Sequence, residues 1–532
     1  MRIAILLCAC LYGASGQYQY GSIIDAGSSG SRIYLFRWSA RVFPALPPPI
    51  STPVELLFFS LRGVAGIDTP AGRAALPSLL EWARMQLLGL GISASDIGSI
   101  PLFLKATAGM RMLTDEARAS AMAEVRALLA AGPFQFQPSW ARTISGEEEG
   151  ISGWISVNYL QGLLPGQASS SSSPPAPTLG ALDLGGASTQ ITFVPPAGVD
   201  MLSSQFDIRL SLAAAVSVYT HSFLYMGQAE AIRRVNELVV LNASGQVGQT
   251  IPHPCFLSNT PSAFLGFNST ALGGLVTFSG TSNATRCREF VLPLMLRGAQ
   301  CLTDPRVPFT PGVAYTSALG GASSSAAAAI PALPLINTNL SGSTCSVNGQ
   351  YIPPLIPPSV FSASSPVKFV AFSGFSFVWE ALGLRSDGAL SDLTRNATIF
   401  CNSDWDAANA TFPGARGAFL FNYCILSIFA ETLLLKGYGI NESTPGIVTV
   451  VSSRASPAVS WALGSMLYEA NGLPFGVATA PCPAANTNAV GWLAGSLAIS
   501  LVAIGALVLK LRALTRTSQQ QYSVTVLNPL PK

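Results

Sequence analysis

The strongest constraint on this chain is an internal echo. The segment Ile23-Ile24-Asp25-Ala26-Gly27-Ser28-Ser29-Gly30-Ser31-Arg32 resembles Ala181-Leu182-Asp183-Leu184-Gly185-Gly186-Ala187-Ser188-Thr189-Gln190. Each reads as a strand end, an Asp, one spacer, a Gly, then small residues and a hydroxyl, with another β-like run behind it. Either segment alone is an ordinary turn. A matched pair about one lobe apart calls for two related lobes with two hairpins facing across a cleft. Glycine removes side-chain bulk from such a turn, so successive backbone N–H groups can point into a concavity that holds an anion. Serine hydroxyls add donors. An Asp at the strand end suits a hard cation such as Ca²⁺ or Mg²⁺, directly or through water. Two such loops grip a polyphosphate from both sides.

The rest of the chain agrees with this frame. Its 532 residues exceed one ordinary domain and suit two lobes. Apolar residues recur at helical spacing over Ala75 to Leu88 and Asp115 to Ala131. Short β-like runs surround them: Ser22 to Ile24, Ile33 to Phe36, Pro101 to Leu104, Gly180 to Leu182 and Gln190 to Val194. Strands alternating with helices predict an α/β fold. Three stretches read as loops by their Pro, Ser and Gly content: Pro44 to Pro53, Ala168 to Thr178 and Ser317 to Pro334.

Charged residues make up only 10% of the chain, which gives weight to the run Glu147-Glu148-Glu149 before Gly150. Such a run is either a solvated helix start, where carboxylates suit the dipole, or the source of a general base. Thr107, in Ala106-Thr107-Ala108-Gly109-Met110-Arg111, is placed to orient a reacting group, and Arg111 serves structure or charge. Two histidines, His221 and His253, leave zinc sites and a Ser–His–Asp triad poorly served. No Gly-x-x-x-x-Gly-Lys-Ser/Thr loop occurs. A net charge of +3 gives no case for nucleic acid.

Taken together, these motifs resemble the apyrases, or nucleoside triphosphate diphosphohydrolases. Five characteristic regions match in order: Ile24 to Arg32, Lys105 to Leu113, Ile144 to Leu160, Gly180 to Phe193, and Asn422 through Tyr438 with Trp461 to Leu467. The resemblance implies an actin-like fold of two ribonuclease-H-like lobes and metal-dependent removal of terminal phosphates from nucleoside tri- or diphosphates. By position, Glu149 matches the base that activates water. Asp25 and Asp183 match the metal-organising aspartates. Thr107, Ser188 and Gln190 match groups that position the water. The phosphate loops match Gly27, Ser28, Ser29, Gly30, Ser31 and Arg32, and Gly185, Gly186, Ala187, Ser188 and Thr189. Cell-surface members carry His where this chain has Gly30. The tyrosine that stacks on the base in some members falls at Ser376, and Phe419 stands at the position of an arginine near the base.

The two ends and the sequons suggest topology. Arg2, the apolar run Ile3 to Tyr12 and the small residues Gly13 to Gly16 read as a signal peptide. Ala489 to Leu509 is an uncharged stretch long enough to cross a bilayer. Lys510, Arg512 and Arg516 follow it, which places the tail in the cytosol and the preceding chain outside. Asn-x-Ser/Thr sequons at Asn242, Asn268, Asn283, Asn339, Asn396, Asn409 and Asn441 fit a lumenal or extracellular glycoprotein. The expected division is a signal peptide over 1–16, a first lobe over 17–146 completed by 444–475, and a second lobe over 147–443. A linker over 476–488, a transmembrane helix over 489–509 and a tail over 510–532 follow. Oligomerisation is compatible with this plan. Six cysteines of the sequon-bearing region are expected in disulfides. The resemblance pairs Cys255 with Cys301 and Cys401 with Cys424, leaving Cys287 and Cys345 for each other.

Two other functions fit parts of the pattern. A silent nucleotide-binding glycoprotein would need the loops but not the base, and Glu149 speaks against it. A polyphosphate phosphohydrolase would share the paired Asp-Gly loops but not the Glu-Gly-x-x-Gly-Trp segment or the membrane anchor.

Overall fold

Two sheets of the same topology organise the protein. The computed structural model describes residues 18–39, 42–43, 53–60, 66–164, 177–197, 199, 201, 204–209, 215–297, 346–347, 367–415, 419–442, 445–452, 459–473 and 476–477. The expected signal peptide, transmembrane helix and tail, Asn339, Cys301, Cys345 and Cys482 lie outside the described residues.

In the first sheet, β1 (Tyr18–Gly27), β2 (Gly30–Ser39) and β3 (Pro53–Ser60) form an antiparallel meander. The strands β4 (Leu102–Ala106) and β5 (Ala141–Thr143) add parallel to β1, giving the order β3-β2-β1-β4-β5. The second sheet repeats the plan. Its meander is β6 (Gly180–Leu184), β7 (Ser188–Phe193) and β9 (Val216–Leu224), with β8 (Gln205–Ile208) on its edge. A third sheet joins β10 (Thr250–His253), β11 (Gly266–Ser269) and β12 (Gly274–Gly280) in the order β10-β12-β11. The strands β13 (Phe369–Ser373) and β14 (Val448–Val450) add parallel to β6. The sequence echo is thus an echo of topology: each copy is the first hairpin of a sheet.

Each sheet has its own core. Ile24, Ile33, Leu102 and Leu104 pack with Leu79, Leu80 and Ala83 of α1 (Leu76–Gly89) and with Val125 and Leu129 of α2 (Asp115–Ala130). Thr114 caps α2, accepting from Ala117 N at 3.3 Å. On the second sheet, Leu182, Ile191 and Phe193 pack with Val235 of α4 (Gln228–Asn242), Val291 of α5 (Ala284–Met295) and Ile425 of α8 (Tyr423–Thr432). A third apolar layer joins the two sheets. In it, Trp154 and Ile155 of α3 (Gly146–Leu160) and Trp461 and Met466 of α9 (Trp461–Gly472) meet Ile23 and Phe103 from one sheet and Ala181 and Phe372 from the other. Each buried aromatic or aliphatic side chain contributes about 1.5–3 kcal/mol. Gly464 makes the crossing of the two helices close, because a Cβ there would stand 1.8 Å from the Ser152 carbonyl oxygen. The return segment 444–475, expected to complete the first lobe, divides in two. β14 joins the second sheet, whereas α9 packs on β1 and α3.

Among the described residues, one helical stretch is long and apolar enough to cross a membrane, Leu420–Gly437. It is largely buried in the second-sheet core, which accounts for its composition. Separately, a small unit pairs Val42–Phe43 with Gly476–Val477 in parallel.

The disulfide pattern corrects one expectation. Cys401 pairs with Cys424, as the resemblance implies. Cys255 instead pairs with Cys287, with Cα atoms 4.9 Å apart, so it takes neither Cys301 nor leaves Cys287 for Cys345. The cause is the docking of α5. Asn283 N donates to Pro254 O at 2.9 Å and Thr281 N to His253 O at 3.1 Å, which sets the first turn of α5 against Cys255.

Beside that disulfide, His253 is wholly buried. Its Nε2 meets Asn236 Oδ1 at 3.0 Å, and its Nδ1 accepts from Cys255 N at 3.1 Å. Burial pushes its pKa down to about 3. The unfolded chain therefore takes up a proton near pH 6.5 that the folded chain refuses until about pH 3. The stability that His253 contributes is complete above pH 6.5 and falls by about 1.4 kcal/mol per pH unit through that window, against the opposite slope of the buried carboxylates. The difference in urea midpoint between the wild-type protein and His253→Gln, followed from pH 7 to pH 4, isolates it and should shrink as the pH falls.

Candidate active site

The two echo segments form opposed hairpin loops. In the first, Gly27 pairs with Gly30, leaving Ser28 and Ser29 as a two-residue turn, and Gly30 takes φ 134°. In the second, Gly185 N donates to Ser188 O at 2.9 Å, closing the turn over Gly186 and Ala187. The loops touch: a Cβ on Gly186 would stand 2.6 Å from Ser28 Oγ. Helix α4 begins at the second loop, with Gln228 N donating to Gly185 O at 2.9 Å and Ala229 N to Gly186 O at 2.8 Å.

An aspartate ends the first strand of each hairpin. Asp25 lies opposite Arg32 in the β1–β2 register, with Arg32 Nη1 3.3 Å from Asp25 Oδ2. Asp183 lies opposite Gln190 in the β6–β7 register. Both aspartates are buried. Burial pushes the Asp183 pKa up to about 8; Glu149 and Asp25 add to the rise, and a hydrogen bond from Ser373 opposes it. Burial likewise raises Asp25, against the pull of Arg32.

Glu149 reaches the same place from α3. Ser145 caps that helix, accepting from Glu148 N at 3.1 Å. Helix α3 lies close on the second sheet because Gly150 and Gly153 have no side chains. A Cβ on Gly150 would meet Thr220 Oγ1 at 2.5 Å, and one on Gly153 would meet Phe372 Cζ at 3.1 Å. The Glu-Gly-x-x-Gly spacing thus brings the carboxylate onto β7. Gln190 Nε2 donates to Glu149 Oε2 at 3.2 Å, Ser188 Oγ at 2.8 Å and Ser222 Oγ at 3.0 Å. Burial raises the Glu149 pKa, and Arg111 pulls it down.

Arg111 is more central than its sequence position indicates. Its Nη2 donates to Glu149 Oε2 at 2.8 Å and to Ser188 Oγ at 3.0 Å, and its Nη1 donates to Ile144 O at 3.2 Å. It stands one turn beyond Thr107, in the short helix Ala108–Arg111, and that i, i+4 spacing was the one available signal. Ser222 had no comparable signal, because only the β7–β9 register brings it opposite Gln190.

The other expected residues are placed as follows. Thr107 is buried at the end of β4. Its N donates to Ala26 O at 3.2 Å, and its hydroxyl makes no helix-capping bond. The Thr189 hydroxyl is used within the fold, donating to Asp183 O at 2.6 Å and meeting the Tyr438 hydroxyl at 3.2 Å. Ser376 is buried and donates to Val451 O at 2.5 Å, so it offers a base nothing to stack on. Phe377 and Phe419 are exposed.

Among the described residues, two buried oxygens of the site, Asp183 Oδ1 and Gln190 Oε1, have no hydrogen-bond partner. An orphaned acceptor of this kind costs about 1–3 kcal/mol. Together with the mutual repulsion of Asp25, Glu149 and Asp183, they fit a bound divalent cation and water. The described residues hold no cluster of three or more metal-ligating side chains. One or two carboxylates, with water and phosphate oxygens completing the shell, form a donor set that Mg²⁺ accepts. The arrangement therefore brings together two opposed glycine turns, two buried aspartates, and a buried Glu149 held by Arg111 and Gln190.

Comparison with known proteins agrees with this chemistry. The GDA1/CD39 (nucleoside phosphatase) family model matches residues 14–318 and 320–480. The chain is 30% identical over 516 residues to ectonucleoside triphosphate diphosphohydrolase 2 of Rattus norvegicus, covering 93% of this chain and 90% of that one. It is 31% identical over 471 residues to ectonucleoside triphosphate diphosphohydrolase 8 of Homo sapiens, covering 84% and 82%. A crystal structure of nucleoside triphosphate hydrolases from Neospora caninum shares the fold, with TM-score 0.55 and 18% identity over 88% of this chain and 95% of that one.

Proposed function

The chain belongs to the GDA1/CD39 nucleoside phosphatase family and is an apyrase-type hydrolase of nucleoside phosphates; from that premise we propose that it releases terminal phosphate from nucleoside tri- and diphosphates by in-line attack of a water activated by Glu149. The carrying observation is the convergence of Arg111, Gln190 and Ser188 on Glu149 beside the orphaned Asp183 Oδ1.

The steps follow from the side chains. Ser28, Ser29 and the Gly185–Ala187 turn hold the phosphates with backbone N–H groups and hydroxyls. Ser188 and Gln190 orient the water, with Gln190 Oε1 as the acceptor left over once Nε2 is engaged. Glu149 takes the water proton as the water oxygen bonds to phosphorus and the bond to the leaving phosphate oxygen breaks. Arg111 favours the ionised base against its burial. Thr107 orients the terminal phosphoryl or the water from the end of β4. Asp25 and Asp183 are the residues that would hold Ca²⁺ or Mg²⁺, which supplies charge neutralisation on the phosphoryl oxygens. The repeated sheet topology supports reading the two halves as ribonuclease-H-like lobes of an actin-like fold.

Phosphate release from ATP, ADP, UDP and GDP by the full chain, with and without Ca²⁺ or Mg²⁺, tests this. Release without added cation in a chelator would overturn the assignment of Asp25 and Asp183. Preference for inorganic polyphosphate over every nucleotide would overturn the substrate class.

The same reading makes the protein a type I membrane glycoprotein with its catalytic part lumenal or extracellular, in keeping with the "ecto" in its relatives' names. Side-chain placement then separates the sequons. Asn268, Asn283, Asn409 and Asn441 are exposed. Asn396, in α7 (Leu390–Asn402), is half-buried, and its Nδ2 donates to Leu382 O at 3.1 Å. A sugar on that nitrogen would need the space held by the end of α6 (Gly374–Leu382). Enzymatic deglycosylation in ¹⁸O-water should tag exposed sequons and leave Asn396 unmarked. A chain with no tagged sequon would reject the lumenal placement.

A further inference from the structure

Two ion pairs beside the site, Lys105 with Glu469 and Arg142 with Glu148, take no part in the mechanism above. Strand register places Arg32, Asp25, Lys105 and Arg142 in a single row across β2, β1, β4 and β5. Register partners on neighbouring strands share a face of the sheet. Here that face is the one covered by α3 and α9, because Ile23 and Phe103, two residues before Asp25 and Lys105, lie in the apolar layer with those helices. Lys105 is 1% exposed. A lysine so deep in an apolar layer costs several kcal/mol unless paired, and burial lowers its pKa.

The pairing comes from both helices. Glu469 of α9 forms an ion pair with Lys105. Glu148 of α3 takes Arg142 in a two-point contact, with Arg142 Nη1 2.6 Å from Glu148 Oε2. The pairs feel each other: Arg142 and Glu148 act on Lys105, and Glu469 acts on Arg142. The row thus runs from Asp25, at the phosphate loop, to Glu148, the neighbour of Glu149 in the first turn of α3.

We propose that the Lys105–Glu469 pair is a positioning device for the hydrolytic reaction, locking Arg142 onto Glu148 and so holding the Glu149 turn of α3 in register with Asp25. This rests on Glu149 being the base. The device works by exclusion. While Lys105 satisfies Glu469, Arg142 belongs to Glu148 alone. Without Lys105, Glu469, whose charge already acts on Arg142, is left to draw Arg142 off Glu148. The first turn of α3 then loses a tie, and a displacement of the base by a fraction of an ångström costs turnover steeply.

A cycle of variants in the full chain tests this. Lys105→Met should lower kcat for ATP roughly tenfold or more with KM little changed. The double variant Lys105→Met/Glu469→Met removes the competitor for Arg142 and should recover most of kcat. A purely structural pair would shift the melting temperature and leave the kcat of folded enzyme alone. Wild-type kcat in folded Lys105→Met, or a double variant no faster than the single, overturns the proposal. If Lys105→Met does not accumulate in folded form, Glu469→Gln, at a side chain 20% exposed, leaves Lys105 to compete with Arg142 for Glu148, whose charge already acts on it; it should lower kcat without a rise in KM, and wild-type turnover there overturns the proposal. Glu149→Gln, measured in parallel, distinguishes failure of this lock from failure of the base assignment on which it rests.

Discussion

Glu149→Gln is expected to lower phosphate release from ATP by roughly 10²–10⁴-fold, the usual contribution of a positioned base, with the fold intact. The substitution keeps the shape of the side chain. Glu149 Oε2 accepts from Arg111 at 2.8 Å and from Gln190 at 3.2 Å, and the amide oxygen of the variant can accept from the same donors. What is lost is an oxygen basic enough to take a proton from water. Steady-state release of phosphate, with circular dichroism and nucleotide KM as controls, separates the outcomes. A loss confined to kcat supports the base. Activity within a fewfold of wild type would falsify the assignment, and a parallel loss of fold would send the test to Glu149→Asp.

Asp183→Asn should move activity and stability in opposite directions. The folded-state pKa of Asp183 is about 8, above the unfolded value near 3.9. Between those values the folded protein holds a proton that the unfolded chain has released. Metal-free stability therefore falls as pH rises from about 4 to about 8. An asparagine has no such charge to bury. The metal-free variant should melt roughly a few degrees higher than wild type at pH 8 and show a flatter dependence on pH in that window. Its cation-activated turnover should fall by roughly 10²-fold, with activation requiring more Ca²⁺ or Mg²⁺. In the wild-type protein, cation affinity should rise with pH up to about 8, because binding must displace the Asp183 proton. Calorimetric titration across pH 6 to 9 measures this directly. A variant that keeps normal cation activation removes Asp183 from the site, and one that melts lower at pH 8 rejects the account of its burial.

What could be read from sequence is what local chemistry decides. The Asp-x-Gly turns at Asp25 and Asp183 were legible because a strand end and a glycine turn are encoded within ten residues, and their repetition implied two halves facing each other. Contact of Gly186 with Ser28 agrees with that expectation. The glycines after Glu149 were also visible, as spacing on a helix. The pairing of Cys401 with Cys424 followed the family pattern.

Other features depended on packing between distant segments. Cys255 takes Cys287 because α5 docks its first turn at Pro254, a contact that no residue near Cys255 announces. Ser222 meets Gln190 only through strand register. Arg111 could be seen as a charge in a turn, but its junction between Glu149 and Ser188 joins three elements. Lys105 reads in sequence as a polar residue in an apolar strand; its partner Glu469 is far along the chain, on a helix brought over that strand by the glycine crossing at Gly464. Turn and helix signals are short-range, so the sequence by itself determined the paired turns, the glycine-flanked helix that carries Glu149 and the duplicated plan. Charge pairing and disulfide choice depend on which surfaces meet in the closed molecule, and only the tertiary structure decided those.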